Sequence, residues 1–164
     1  TIYTDPPWSL GKSASGGAAA AHSSAMSVEQ ICREPVDELA ADDAHLHLWT
    51  TNAFLRGGCP VMDAWRFQPK SCLVWVKPDL GAGNYWRVAH EFLLLGVRGR
   101  LRFRDRRLRS WISAPRTEHS RKPGIIRLLI EKASPGPYLE LYGRDWSPDS
   151  PWTVYGNQVR PRWF

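Results

Sequence analysis

Short apolar runs with the character of strands alternate along this chain with segments of helical character. Such alternation makes an α/β sandwich with a mostly parallel sheet the expected fold. Residues 1–4, Thr-Ile-Tyr-Thr, are the first β-favouring run. Residues 44–50 alternate strictly, with Leu46 and Leu48 to one side and His45 and His47 to the other. Residues 71–76 carry Leu73-Val74-Trp75-Val76 without a break, the pattern of a buried strand. Further strands are expected over 92–97, 138–142 and 152–155, with a short apolar piece at 111–114.

The helices are bounded by their own signals. Ser27-Val28-Glu29-Gln30 is a capping box, and the helix it starts is stopped by Pro35. A second helix is expected over 36–41 and a third over 52–65, broken or kinked at Gly57-Gly58-Cys59-Pro60. Residues 118–123 open a last helix with Pro123 in its first turn; it carries Ile125, Ile126, Leu128, Leu129 and Ile130, and Ser134-Pro135-Gly136-Pro137 stops it. At 164 residues the chain suits one domain over 1–164.

Composition narrows the class. With 43% hydrophobic and 23% charged residues, and no run near the roughly 20 apolar residues of a membrane span, a soluble protein with no membrane association is expected. Cys32, Cys59 and Cys72 are odd in number and contain no Cys-x-x-Cys pair, so neither a disulfide framework nor a zinc site is expected, and a reducing cytoplasm fits. His45 and His47 have the spacing of metal ligands but no third ligand nearby, so no metal is expected and polar strand residues are the better account. The chain starts on a strand without an initiator Met, which leaves room for an upstream segment.

Net charge is +6, and Arg98, Arg100, Arg102, Arg104, Arg106, Arg107 and Arg109 fall in one stretch. Such a cluster suits phosphates, with a solvated hairpin as the plain alternative. The loops carry further polar and aromatic groups. After the first strand comes Asp5-Pro6-Pro7-Trp8, where each proline fixes its own φ and restricts the residue before it. Asp5 and the Pro6 carbonyl can there face a ligand as neighbouring acceptors, with Trp8 as a flat wall. The Gly-, Ala- and Ser-rich residues 9–24 read as a lid or binding loop. Residues 77–87 form another Gly-punctuated loop with Tyr85, Trp86 and Arg87, leading to His90-Glu91.

Asp-Pro-Pro-Trp resembles the catalytic motif of adenine amino-methyltransferases. Trp75-Val76-Lys77-Pro78, Gly81-x-Gly83-x-Tyr85, Arg87 with His90-Glu91, Ala114-Pro115-Arg116, His119-Ser120-x-Lys122-Pro123, Ser134-Pro135-Gly136, Leu139-Glu140-Leu141-Tyr142-Gly143-Arg144 and Gly156-Asn157-Gln158 follow it in order. Over nearly its whole length the chain thus resembles the MT-A70 family, in its prokaryotic and phage form. The resemblance implies a Rossmann-like methyltransferase sandwich with a permuted, β-class-like motif order, and S-adenosylmethionine as cofactor. Asp5, Pro6, Pro7 and Trp8 would be catalytic. Lys122 would meet the methionine carboxylate and Asp5 its ammonium, while Arg144, Asn157 and Gln158 would hold the ribose and adenine. Tyr85, Arg87, His90, Glu91, Arg102, Arg104 and Arg106 are the expected substrate contacts.

The implied activity is methyl transfer to the N6 amine of adenine in nucleic acid, DNA rather than RNA. Methylation of RNA adenosine, of a cytosine amine or of a protein amide, and a non-catalytic partner subunit of the same fold, are the alternatives. A homodimer or heterodimer is compatible with each.

Overall fold

The computed structural model describes residues 1–9, 25–81, 83, 85–116 and 121–156. Its centre is the shortest kind of strand. Ile2, Tyr3 and Thr4 form β1 (Ile2–Thr4), and all three are buried, because β1 is flanked on both sides in a seven-stranded sheet. The other strands are β2 (Ala44–Thr50), β3 (Gln68–Val76), β4 (His90–Arg98), β5 (Trp111–Ser113), β6 (Tyr138–Leu141) and β7 (Trp152–Tyr155), in the spatial order β5-β3-β4-β2-β1-β6-β7.

Four ladders are parallel and two antiparallel, and both antiparallel ones belong to β4, so β4 alone runs against the rest. Its reversal follows from the connection before it: the described residues of 77–89 contain no helix to carry the chain back across the sheet.

Alternation places two cores on the two faces. Ile2, Leu46 and Leu48 pack with Ile31, Val36, Val61, Met62 and Trp65, which come from α1 (Val28–Cys32), α2 (Val36–Leu39) and α3 (Leu55–Ala64) with its cap. Tyr3, Trp49, Trp75, Leu93 and Trp152 form the other core with Ile126 and Ile130 of α4 (Ile125–Ala133). Helices therefore cover both faces, as a mostly parallel sheet requires.

The capping box before α1 is complete: Gln30 N donates to Ser27 Oγ and Ser27 N to the Gln30 carbonyl oxygen Oε1. The third helix begins as a 3-10 turn at Asn52–Phe54 and then runs through Pro60, so the expected break does not divide it. The fourth begins at Ile125, two residues after Pro123, which leaves Lys122 in the loop before the helix. The expectation of a buried strand at 71–76 is corrected too: within β3 only Trp75 is buried, because β5, its outer neighbour, is three residues long and shields little.

His45 and His47 are not a solvent-facing polar row. Both are buried, and each ring lies against the Ser134 hydroxyl just after α4, at 2.8 and 3.0 Å. The arginine-rich stretch after β4 forms no hairpin among the described residues. Leu101, Phe103 and Leu108 turn partly inward while Arg102, Arg104, Arg106, Arg107 and Arg109 stay exposed, and the Arg104 N–H donates to the Ala133 carbonyl at the end of α4. It is an extended strap across the α4 face. Among the described residues no helix is long and apolar enough to cross a membrane, and no group of three His, Cys, Asp or Glu could hold a metal.

Candidate active site

At β1 the strand order switches direction, with β2 on one side and β6 on the other, and a crevice opens at the carboxyl ends of the strands at such a point. Asp5-Pro6-Pro7-Trp8 leaves β1 there. The two prolines allow no continuation of the ladder, so the chain turns immediately: the Trp8 N–H donates to the Pro6 carbonyl at 2.9 Å. Pro6 O thus has one lone pair already engaged and a second remaining. The turn is pinned from the far side of residues 10–24, because Met26 N donates to Pro7 O at 2.7 Å and Ser9 N to Met26 O at 2.8 Å.

Trp8 is fixed at both ends. Its indole N–H donates to the Trp49 carbonyl at 2.9 Å, and its ring stacks on Phe54 with centroids 5.7 Å apart and an interplanar angle of 21°. These contacts set the angle at which the indole lines a cleft of about 920 Å³, within the range of ligand sites. Asp5, Pro6 and Pro7 share the wall with Glu91, Lys122 and Arg144, while Pro35 and Leu39 close it from the α1–α2 side and Leu141, Tyr142 and Tyr155 from β6 and β7.

The charges at the base of the cleft form a chain. Lys122 Nζ lies 3.0 Å from Asp5 Oδ2 and 2.9 Å from Glu91 Oε2, and Glu91 also pairs with Lys77. Burial disfavours the charged Lys122, but Asp5 and Glu91 overcome it and hold the ammonium above its ordinary value. Glu91 is buried as well, yet its two lysines bring its carboxyl below the usual range. Burial pushes the Asp5 carboxyl up against the pull of Lys122. Asp5 still keeps 36% of its side-chain surface exposed, against 14% for Lys122 and Glu91, so it is the member of the chain that a ligand can reach.

The residues expected from the sequence divide into groups. Asp5, Pro6, Pro7, Trp8, Glu91, Lys122 and Arg144 come together in the cleft. His90, one residue from Glu91, faces the other way and packs against Phe92 with ring centroids 4.9 Å apart. Arg87 donates to the Gly81 carbonyl at 2.6 Å, and Tyr85 projects into solvent. Arg102 and Arg104 are not brought to the cleft. Arg98 aligns with Ala44 at the start of β2, whereas Thr4 aligns with Leu48 near its end, so the strap begins at the opposite end of the strands from Asp5. Arg106 follows as the strap climbs toward β5. Asn157 and Gln158, like His119 and Ser120, lie outside the described residues.

Phe54 was not expected at the site, and Lys77 and Tyr142 stand in the family-like blocks without a role assigned to either. Lys77 could have been given one, because it directly follows a strand and precedes the Pro78 punctuation. Phe54 and Tyr142 carry no local signal. Tyr142 has φ 59°, which aims its ring back over the cleft toward Met26, and burial pushes its phenol up to about 12.

The family model for MT-A70 matches residues 1–158. Human METTL3, the N(6)-adenosine-methyltransferase catalytic subunit, is 27% identical over 96% of this chain and 28% of its own length. Human METTL4, an N(6)-adenine-specific methyltransferase, is 29% identical over 96% of this chain and 37% of its own length. The type II methyltransferase M.MunI of Mycoplasma sp is 26% identical over 88% of this chain and 71% of its own length. The chain thus spans about a third or less of METTL3 and somewhat more of METTL4. With the match running through every strand of the sheet and through the Asp5-Pro6-Pro7-Trp8 turn, the chain belongs to the MT-A70 family.

Proposed function

We propose that this chain is an S-adenosylmethionine-dependent methyltransferase domain acting on the N6 amine of adenine in nucleic acid, with DNA as the preferred substrate. The observation that carries the reading is Asp5: a carboxylate at the carboxyl end of the central strand, open to the cleft, 3.0 Å from Lys122 and one residue from the Pro6 carbonyl. The preference for DNA rests on likeness to prokaryotic and phage members, and M.MunI is the relative, of the three named, whose length this chain spans most fully.

The donor set suits the proposed cofactor. An amino-acid end needs a cation for its carboxylate and an acceptor for its ammonium, and Lys122 and Asp5 supply both within one contact. Glu91 keeps Lys122 charged and fixed when Asp5 turns to another partner. Arg144 lines the same cleft and is a proposed contact for the ribose and adenine, a role also proposed for Asn157 and Gln158. When bound, S-adenosylmethionine supplies a sulfonium methyl that becomes bonded to the amine nitrogen as its bond to sulfur breaks.

The amine of adenine is a weak nucleophile because its lone pair is delocalised into the ring. Asp5 and the remaining lone pair of Pro6 O accept its two hydrogens, which draws the nitrogen toward tetrahedral geometry and stabilises the charge that develops there. The burial that raises Asp5 also makes it a better acceptor for the proton the nitrogen must lose. Trp8, held by Trp49 and Phe54, offers its face to the base, and holding the reactants in line contributes on the order of 7–11 kcal/mol. A duplex base must leave its stack to reach this cleft. Arg102, Arg104 and Arg106 are proposed contacts for phosphates remote from the target base, in keeping with their place on the strap. Free Cys32, Cys59 and Cys72 accord with a reducing cytoplasm.

The test is incubation with labelled cofactor and matched DNA and RNA oligomers, followed by identification of the modified base. Asp5→Asn should lower transfer by about 10²-fold or more with the fold intact. Normal turnover by a folded Asp5→Asn protein refutes the mechanism.

A further inference from the structure

Tyr85 and Trp86 sit side by side in the connection between β3 and β4, with 95% and 93% of their surface exposed. That connection is anchored at its base. Lys77 N donates to the Ala89 carbonyl at 2.7 Å, Arg87 Nε to Gly81 O at 2.6 Å, and Arg116 Nη2 to Val88 O at 3.4 Å. Two glycines allow the limbs to close on each other. A Cβ on Gly81 would lie 1.8 Å from Val88 O, and one on Gly83, at φ +158°, would lie 2.6 Å from Trp86 O. The limbs pack backbone against backbone, so the two aromatic rings are held out in water by a braced support.

The support is continuous with the cleft. It begins with Lys77, just after β3, and enters β4 at His90, beside Glu91; Lys77 and Glu91 pair with each other while Glu91 reaches Asp5 through Lys122. The surroundings are cationic: Arg87 and Arg116 brace the limbs, and Arg109 lies 5.9 Å from the half-exposed Trp111 ring on the neighbouring β5. Exposed flat rings interspersed with arginines match the two needs of an unstacked nucleotide, a π surface for its base and cations for its phosphates.

We propose that Trp86, with Tyr85 beside it, is a stacking platform for the nucleotide next to the target adenine. The proposal rests on the adenine-methyltransferase reading and extends it: the platform holds a neighbouring base out of its stack while Asp5 and Trp8 hold the target. It makes unpaired or readily unpaired strands the favoured substrates.

The experiment compares the wild type with Trp86→Ala and Trp86→Tyr. Each is titrated with an adenine-containing single-stranded DNA oligomer and with an abasic oligomer of equal length, and cofactor binding is followed by calorimetry. Trp86→Ala should bind the base-bearing oligomer about tenfold or more weakly, Trp86→Tyr should recover most of the loss, and abasic-oligomer and cofactor affinity should match the wild type. An undiminished affinity of Trp86→Ala for the base-bearing oligomer, or an equal loss on the abasic one, overturns the proposal. So does a shift from dimer to monomer in sedimentation of Trp86→Ala alone, which would give the tip to an interface between copies. A wild type that methylates adenine while Trp86→Ala binds normally refutes the platform only; a wild type that transfers no methyl to any adenine oligomer refutes the underlying reading as well.

Discussion

Mild acid should destabilise this protein through His47, and the size of the effect can be worked from its surroundings. The ring is buried, and its Nε2 lies 3.0 Å from Ser134 Oγ. The hydrogen count fixes the tautomers. Leu101 O can only accept, so His45 carries its hydrogen on Nε2, at 3.3 Å, and takes the single Ser134 hydroxyl hydrogen on Nδ1, which leaves Ser134 Oγ to accept from His47. Burial disfavours the charged form of both rings, in keeping with this arrangement. Burial, with a smaller push from His45, lowers His47 from 6.5 to about 3.

The unfolded chain binds a proton below pH ~6.5 that the native chain refuses until pH ~3, so stability is fully present above that window and falls as the pH drops through it. Between pH ~7 and pH ~5 the loss from His47 alone is about 2 kcal/mol, a factor of roughly 30 in the folding constant. Burial lowers His45 too, which adds to the loss with the same sign. Urea unfolding of the wild type and of His47→Gln at the two pH values isolates the contribution, because the carboxylates titrate alike in both. The difference in stability between the two proteins should change by about 2 kcal/mol between the two pH values. A difference independent of pH would refute the neutral, buried His47.

Three further outcomes are expected. Trp8→Phe removes the donor to the Trp49 carbonyl and should cost about 1 kcal/mol of stability in thermal unfolding, together with slower single-turnover transfer; no change in either would mean that the indole is not positioned by that bond. Arg127→Met strands the largely buried Glu140 carboxyl, to which Arg127 Nε donates at 2.6 Å, and should cost about 3 kcal/mol; an unchanged melting temperature would show that the pair contributes nothing. Replacing Arg102, Arg104 and Arg106 together by Ala should flatten the log–log salt dependence of nucleic-acid binding by about 0.9 for each phosphate that the strap no longer neutralises. An unchanged slope would leave the strap with a role in solubility alone.

Periodicity and end punctuation served best for a few elements. The strand at Ala44–Thr50, the strand at Trp152–Tyr155 and the capping box at Ser27 stand as read. Elsewhere the missing information was non-local. The alternation of His45 and His47 with Leu46 and Leu48 reports two faces, but not that Ser134 and the strap cover the histidine face. The arginine spacing likewise reports an extended stretch with inward Leu101 and Phe103, and says nothing of which end of the strands it starts from; that depends on the direction of β4. That direction was readable in principle from the connection before it, helix-free among its described residues. At the cleft, Asp5 and Lys122 were legible through family resemblance, whereas the stack of Phe54 on Trp8 and the link from Lys77 through Glu91 join positions that share no sequence pattern.

The bridge between Trp8 and Met26 clamps the acceptor turn from the side of α1. Backbone bonds at 2.7 and 2.8 Å tie Met26 to Pro7 and to Ser9. The acceptor pair of Asp5 and Pro6 is thereby clamped before any substrate arrives, so little reorganisation is left for the moment of transfer.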